Sequence, residues 1–273
     1  MRFGRFPFFM IILGLLIMAV PCLAAPLSRQ GAQAPIEFKD GAGNAVKLAR
    51  LPQRLAIVGR GPQYLLHLLY MFPEGPERLA GMEQRGRTSS DFLSALFPGI
   101  DGKLTLLPNP GPESIAGLHP DLVLMKGSQS IPLAEALGKA GIPTVYLSLE
   151  TPEEYYGDIS NLGAILGNPK RAEEIIAFYK ADVSRVEKAM AGLGDGEKPS
   201  VLVVMGSMRS GKYAVRVPAQ AWMQTYQVKA AGGRPVWLDA AEQAGEWTVV
   251  NLEQIAAWNP DRLIIIVWYS LDA

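Results

Sequence analysis

The sequence predicts an α/β chain of two Rossmann-like lobes, similarly wound and joined by a long spanning helix, with the second lobe incomplete. Three observations carry this expectation. Short buried-strand patterns alternate with helical ones on both sides of residues 151–195, as in parallel sheets covered on both faces. From Thr151 to about Leu193 the pattern is helical almost throughout. Finally, Glu113–Leu124 overlays Glu253–Ile264 without a gap, at an offset of 140. In that overlay Glu, Ile, Ala, Pro and Asp coincide, and each copy reads as a short helix, a Pro-Asp turn and a buried strand. The bounds that follow are a leader at 1–24, a first lobe at 25–150, a linking helix at 151–195 and a second lobe at 196–273.

The leader is read from Arg2 and Arg5 ahead of a thirteen-residue apolar run, Phe8 to Val20, with small residues around Cys22-Leu23-Ala24-Ala25. That is the layout of a secretory signal peptide cut after Ala24, too short to span a bilayer well. Cys22 invites lipid attachment, but Pro21 is a poor neighbour for it, and cleavage is the preferred reading. The mature chain then has no cysteine, and its 24 basic against 26 acidic side chains leave a net charge near −2. An exported protein without disulfides fits a bacterial periplasm. The even charge balance excludes a polyanion-binding role, so no nucleic-acid partner is expected.

Along the mature chain, Ile36–Gly41 and Ala45–Leu48 alternate about Asp-Gly and Gly-Asn turn signals and read as a hairpin. Leu55–Val58 is a short buried strand ending in Gly59-Arg60-Gly61-Pro62, followed by helix from Tyr64 to Met71. This resembles the start of a dinucleotide fold, but Tyr64 stands where the third glycine belongs, which argues against a nucleotide cofactor. Further strands are expected at Leu79–Met82, Leu122–Met125 and Thr144–Leu147, with a helix at Leu133–Ala140.

The linking stretch opens with Thr151-Pro152-Glu153-Glu154, a capping box with proline at the first helical position. Apolar residues recur at helical spacing through Tyr155, Ile159, Leu162 and Leu166, then through Ile175, Ile176, Tyr179, Val183 and Val186. Gly167-Asn168-Pro169 interrupts them, because proline cannot donate to the preceding turn and biases the residue before it out of the helical region. Two collinear or kinked helices are therefore expected. A rod of roughly 40 residues at ~1.5 Å each reaches about 60 Å, enough to span two lobes.

Beyond it, Val201–Met205 restarts the strand pattern, and Gly206-Ser207-Met208-Arg209-Ser210-Gly211-Lys212 satisfies the GxxxxGK spacing of a phosphate-cradling loop. Position 213 is Tyr, so the magnesium-binding hydroxyl of Ser or Thr is missing. Tyr213–Pro218 also looks extended, leaving no helix N-terminus for a phosphate.

The hairpin, the strand ending at Arg60, the Glu113–Leu124 element, Gly141–Val145, the linking helix, Ala230–Gly233 and Trp247–Asp261 together resemble the periplasmic substrate-binding proteins of iron-siderophore and cobalamin ABC importers. The resemblance covers nearly the whole mature chain. It implies a non-enzymatic, monomeric receptor with two α/β lobes on a stiff helix, a ligand in the cleft and delivery to an inner-membrane ABC permease. In that family a glutamate in each half docks on permease arginines, and the matching positions are Glu113 and Glu253. An acid in the first turn of a helix also complements the helix dipole.

Ligands of open α/β sheets bind beyond the carboxyl ends of the strands. The candidates there are Arg60, Tyr64, Arg87 and Lys126 in the first lobe. In the second they are Arg209, Tyr213, Trp222 with Gln224, Trp247, Trp268 and Tyr269. Cationic and aromatic groups suit a metal chelate such as a ferric siderophore, cobalamin or haem. An oxyanion or other small molecule is the alternative cargo, and a P-loop-like nucleotide-binding protein the distant alternative. Bare metal is not expected: His67 and His119 are the two histidines, His67 within an apolar helix and His119 in a turn, where both read as structural. No resident cofactor or metal is therefore expected, and no catalytic nucleophile, base and orienting acid assemble. Trp258 is assigned to core. The family continues through further helix and strand units past the point matched by Trp268–Ala273. Exposure of Ile264, Ile265, Ile266 or their neighbours is therefore expected, as is a gain in stability from an extension of roughly 70 to 100 residues.

Overall fold

The computed structural model describes residues 35–84, 99–127, 131–209, 212–241 and 247–267. The leader and candidates Arg87, Trp268 and Tyr269 lie outside them. The first element is an antiparallel hairpin of β1 (Ile36–Lys39) and β2 (Ala45–Leu48), in register Ile36↔Leu48. Asp40 closes its turn by accepting the backbone N–H groups of Ala42 and Asn44. The same carboxylate accepts the N–H of Tyr146 at 3.2 Å, tying the hairpin to the first lobe.

The first lobe is a parallel sheet built from β3 (Leu55–Val58), β4 (Leu79–Glu83), β5 (Leu104–Leu106), β6 (Leu122–Lys126) and β7 (Thr144–Leu147), in the order β5-β4-β3-β6-β7. Helices α1 (Pro62–Tyr70), α2 (Gly75–Arg78), α3 (Pro112–Ala116) and α4 (Ile131–Lys139) lie between the strands in sequence. Leu55 and Ile57 pack with Leu122, Leu124 and α1 on one face of the sheet, while Ala56 and Val58 pack with Val123, Met125, Ile115 and Leu137 on the other. Two-sided burial explains why these strands are continuously apolar instead of alternating. The strand order reverses between β3 and β6, and such a switch point opens a crevice at the strands' carboxyl ends.

The linking region differs from the expected rod. Helix α5 (Pro152–Leu166) starts with the expected capping box, Thr151 Oγ1 accepting from Glu154 N–H and the Glu154 carboxylate from Thr151 N–H. It ends at Gly167 in the left-handed region, φ 72°. Asn168 then caps α6 (Pro169–Met190). The rings of Tyr155 and Tyr179 meet edge-on with centroids 5.5 Å apart, whereas 24 residues of straight helix would separate them by about 36 Å. The two helices therefore fold back on each other. Ile159, Leu162, Ile165 and Leu166 of α5 join the first lobe's core. The 22-residue α6, about 33 Å long, runs on to the second lobe, where Tyr226 donates to Glu187 at 3.2 Å.

The second sheet contains β8 (Ser200–Arg209), β9 (Lys212–Val217), β10 (Arg234–Pro235), β11 (Thr248–Val250) and β12 (Arg262–Ile266), with helices α7 (Met223–Ala230) and α8 (Leu252–Trp258). It is mixed, not wholly parallel. Strand β8 pairs in parallel with β10 and β12, but antiparallel with β9, and β11 also runs antiparallel to β9. The GxxxxGK stretch thus spans the end of a β-hairpin, in register Arg209↔Lys212, and Tyr213–Val217 is extended as expected.

The repeat is real in three dimensions. Asp121 accepts the N–H groups of Gln53 and Arg54 just before β3, and Asp261 accepts the N–H of Ser200 at the start of β8. Leu122 pairs with Leu55 as Arg262 does with Val201. His119 and Asn259, matched in the overlay, both take the left-handed conformation, with φ 50° and 40°. Glu113 and Glu253 each occupy the second position of their short helix, exposed. One difference separates the copies. Leu122–Met125 are fully buried, whereas Leu263, Ile264 and Ile265 are 53%, 48% and 60% exposed. Among the described residues β6 pairs on both edges, and β12 with β8 alone. Trp258 is half-buried against the second lobe's core.

Candidate functional site

At the switch point of the first sheet, β3 runs out through Gly59 and Gly61, both at positive φ, before α1 begins. A Cβ at Gly61 would come within 2.9 Å of the Tyr64 ring, so the turn is narrow because glycine permits it. The fully buried Glu83 fixes this edge, accepting the N–H of Gly59 at 2.6 Å and of Asn109 at 2.8 Å. Arg60 is exposed at the turn, and Tyr64 lies half-buried one helical turn further on.

Lys126, the last residue of β6, brings its ammonium to the carboxylate of Glu150 as an ion pair and lies 5.9 Å from the centre of the Tyr64 ring. The Lys126 side chain is only 13% exposed and that of Glu150 38%. Burial first, and then the Glu150 charge, push the Tyr64 phenol up to about 12, so it stays a neutral hydrogen-bonding group.

Glu150 follows β7 on a tightly specified segment. Leu149 has φ 57°, a left-handed conformation rare for leucine. Asp158 of α5 accepts the N–H groups of Ser148 and Leu149 at 2.7 and 2.9 Å. That carboxyl is 2% exposed, and loss of water pushes it up to about 7 although the two N–H donors pull the other way.

The second lobe meets this segment directly, since Met223 N–H, at the start of α7, donates to the Glu150 carbonyl at 2.7 Å. Beside it, Trp222 is 8% exposed and packs edge-on against Trp247, centroids 5.7 Å apart. Lys126, Tyr64, Glu150, Trp222 and Trp247 thus belong to one region where the two lobes touch. Trp222 is a supported wall there and offers little free ring face.

Gln224 was expected with Trp222, but it lines an apolar groove of about 340 Å³ with Val201, Val203, Ile264 and Ile266. Successive helical positions point about 100° apart, so the neighbour at two residues faces away. Arg209 and Tyr213 lie on the β8–β9 hairpin by backbone register. Trp237, not singled out in sequence, is fully buried and donates its indole N–H to Pro218 O; it belongs to the core. His67 and His119 are both exposed. Among the described residues no three His, Cys, Asp or Glu converge as a metal-binding group. Sequence reasoning missed Glu150, Glu83 and Asp158. Glu150 follows a strand end just as the chosen candidates do, and that position was the available signal.

The sequence pattern of the periplasmic binding protein family matches residues 89–271. A periplasmic solute-binding protein from Veillonella parvula DSM 2008 superposes with a TM-score of 0.63 at 24% identity, over 84% of this chain and 67% of its own. The TroA-like periplasmic binding protein FepB from Veillonella parvula gives 0.64 at 22% identity, over 86% and 70%. A periplasmic heme-binding protein from Pseudomonas aeruginosa gives 0.58 at 22%, over 79% and 72%. Comparison with curated proteins finds no match. Two α/β units that carry a shared repeat and touch just past the strand ends of the first sheet accord with the sequence match over 89–271: this chain belongs to the periplasmic binding protein family.

Proposed function

We propose that this protein is the periplasmic receptor of an ABC importer, which captures a metal chelate between its lobes and hands it to an inner-membrane permease. The observation that carries the reading is the meeting of Lys126 and Tyr64, at the switch point of the first sheet, with the Trp222–Trp247 pair through the Glu150–Met223 hydrogen bond. A cation, a neutral phenol and aromatic edges suit a large, partly anionic complex, through charge-assisted hydrogen bonds and ring contacts. Ferric siderophore, cobalamin and haem are the candidate cargoes. The fold shared with a heme-binding protein leads us to favour iron complexes. An oxyanion receptor is the second reading, favoured by Arg60 beside the glycine turn.

In this account the ligand stabilises the arrangement in which both lobes touch it. The stiff α6 limits closure to a modest rocking motion. Glu113 and Glu253, mates in the repeat and exposed on their helices, would meet cationic sites on the permease. The protein does no chemistry on its cargo and acts as an exported monomer.

Titration of tryptophan fluorescence against ferric chelates, cobalamin, haem and oxyanions tests the reading. Saturable 1:1 quenching by one ligand class is expected. No response to any of them, or turnover of a generic ester by the purified protein, would overturn it.

A further inference from the structure

The Lys126–Glu150 ion pair poses a question the receptor reading leaves open. Lys126 ends β6 at the switch point, yet its charge is already answered by a carboxylate of the same lobe. The pairing follows from the sheet. Lys126 lies opposite Leu147 in the β6–β7 register, which brings the residues just after β7 alongside the Lys126 side chain. Glu150 is held there by the left-handed turn at Leu149, by the Asp158 carboxylate accepting from Ser148 and Leu149 N–H, and by the hydrogen bond from Met223 N–H to its own carbonyl. Its side chain is nevertheless 38% exposed against 13% for Lys126, so water and solutes reach the carboxylate more readily than the ammonium.

We propose that Glu150 is a specificity-determining residue that sets the charge of the ligand the cleft accepts, acting as an internal competitor for Lys126. This inference rests on the receptor reading above. A strongly anionic chelate that engages Lys126 competes with Glu150 for the ammonium, and the carboxylate stands beside the incoming negative charge whether it is displaced or shares the ammonium's donors. A neutral chelate meets a pair whose charges already cancel and displaces nothing. Like charges held a few ångströms apart oppose each other even where water screens them in part, so the carboxylate selects against anionic cargo. The Glu150 carbonyl is a separate device. It belongs to the contact between lobes and survives any side-chain substitution, which lets the two roles be tested apart.

The experiment compares a trianionic ferric tricatecholate with a neutral ferric trihydroxamate by tryptophan quenching, using wild type, Glu150→Gln, Lys126→Met and the double variant. Glu150→Gln is expected to raise the ratio of anionic to neutral affinity about tenfold, equivalent to about 1.4 kcal/mol. Lys126→Met should lower that ratio, and in its background Glu150→Gln should raise it again, because the carboxylate left without its counter-ion opposes the anionic ligand directly. A ratio unchanged or lowered by Glu150→Gln, with binding retained, overturns this inference and leaves the receptor reading standing. Binding of neither chelate to any of the four forms overturns the chelate reading and this inference with it. A general loss of fold would weaken both ligands together, so the ratio separates specificity from stability.

Discussion

Replacing Asp158 by Asn should flatten the dependence of stability on pH in a direction fixed by the structure. The Asp158 carboxyl is nearly inaccessible, and burial raises it from an ordinary 3.8 to about 7 in the folded chain. The folded state therefore binds more protons than the unfolded state between these values, and stability falls as pH rises through that window. This contribution is fully present below about pH 4 and lost as pH passes about 7. The shift of about 3 units at about 1.4 kcal/mol each sets an upper bound of about 4 kcal/mol. Both N–H donors reach the same oxygen, Oδ2, so an asparagine Oδ1 can accept them without ionising. Urea unfolding at pH 5 and pH 8 measures the effect. Wild type should lose more stability than Asp158→Asn between the two, by an amount on the order of 2–3 kcal/mol, because about 2 of the 3 units fall inside that window. Equal losses in the two proteins would refute the reasoning, since they would mean that Asp158 is already ionised at pH 5 or is as hydrated folded as unfolded.

A Cβ on Gly163 would stand 2.6 Å from the Ala172 Cβ, so Gly163→Ala should push α5 and α6 apart and cost about 1–3 kcal/mol by thermal or urea unfolding; an unchanged midpoint would deny their close approach. Charge reversal at Glu113 and Glu253 together should abolish ligand delivery to permease in reconstituted vesicles while ligand affinity stays within about twofold, because both residues are exposed on their helices.

The sequence was most legible where its signals are local. The hairpin ends, the capping box at Thr151 and the strand at Leu55–Val58 are each written within a few adjacent residues. The repeat was legible because its Asp and Pro do the same work twice, Asp121 and Asp261 each holding the backbone at the start of a central strand. Gly167-Asn168-Pro169 announced a break but not its angle. That angle is fixed by non-local contacts such as Tyr155 on Tyr179, and by Asn168 donating to Glu74. The mixed second sheet was hidden for a similar reason. An extended β9 reads the same in sequence whichever way it pairs. In the site, Arg60, Tyr64 and Lys126 could be found because strand ends can be found. Their relations could not, because Glu150 reaches Lys126 only through the pairing of β6 with β7. Nor does a pattern say that Trp222 turns its ring into Trp247.

In the receptor proposed above, one cargo touches both lobes at once. Calorimetric titration of whichever ligand binds tightest, against wild type, Lys126→Met and Trp247→Ala, tests it most directly. One ligand per chain is expected, with a loss of about tenfold or more in affinity, on the order of 1.4 kcal/mol, from each substitution, one in either lobe. A ligand weakened by Lys126→Met yet bound unaltered by Trp247→Ala, or the converse, would place it on a single lobe and contradict the account.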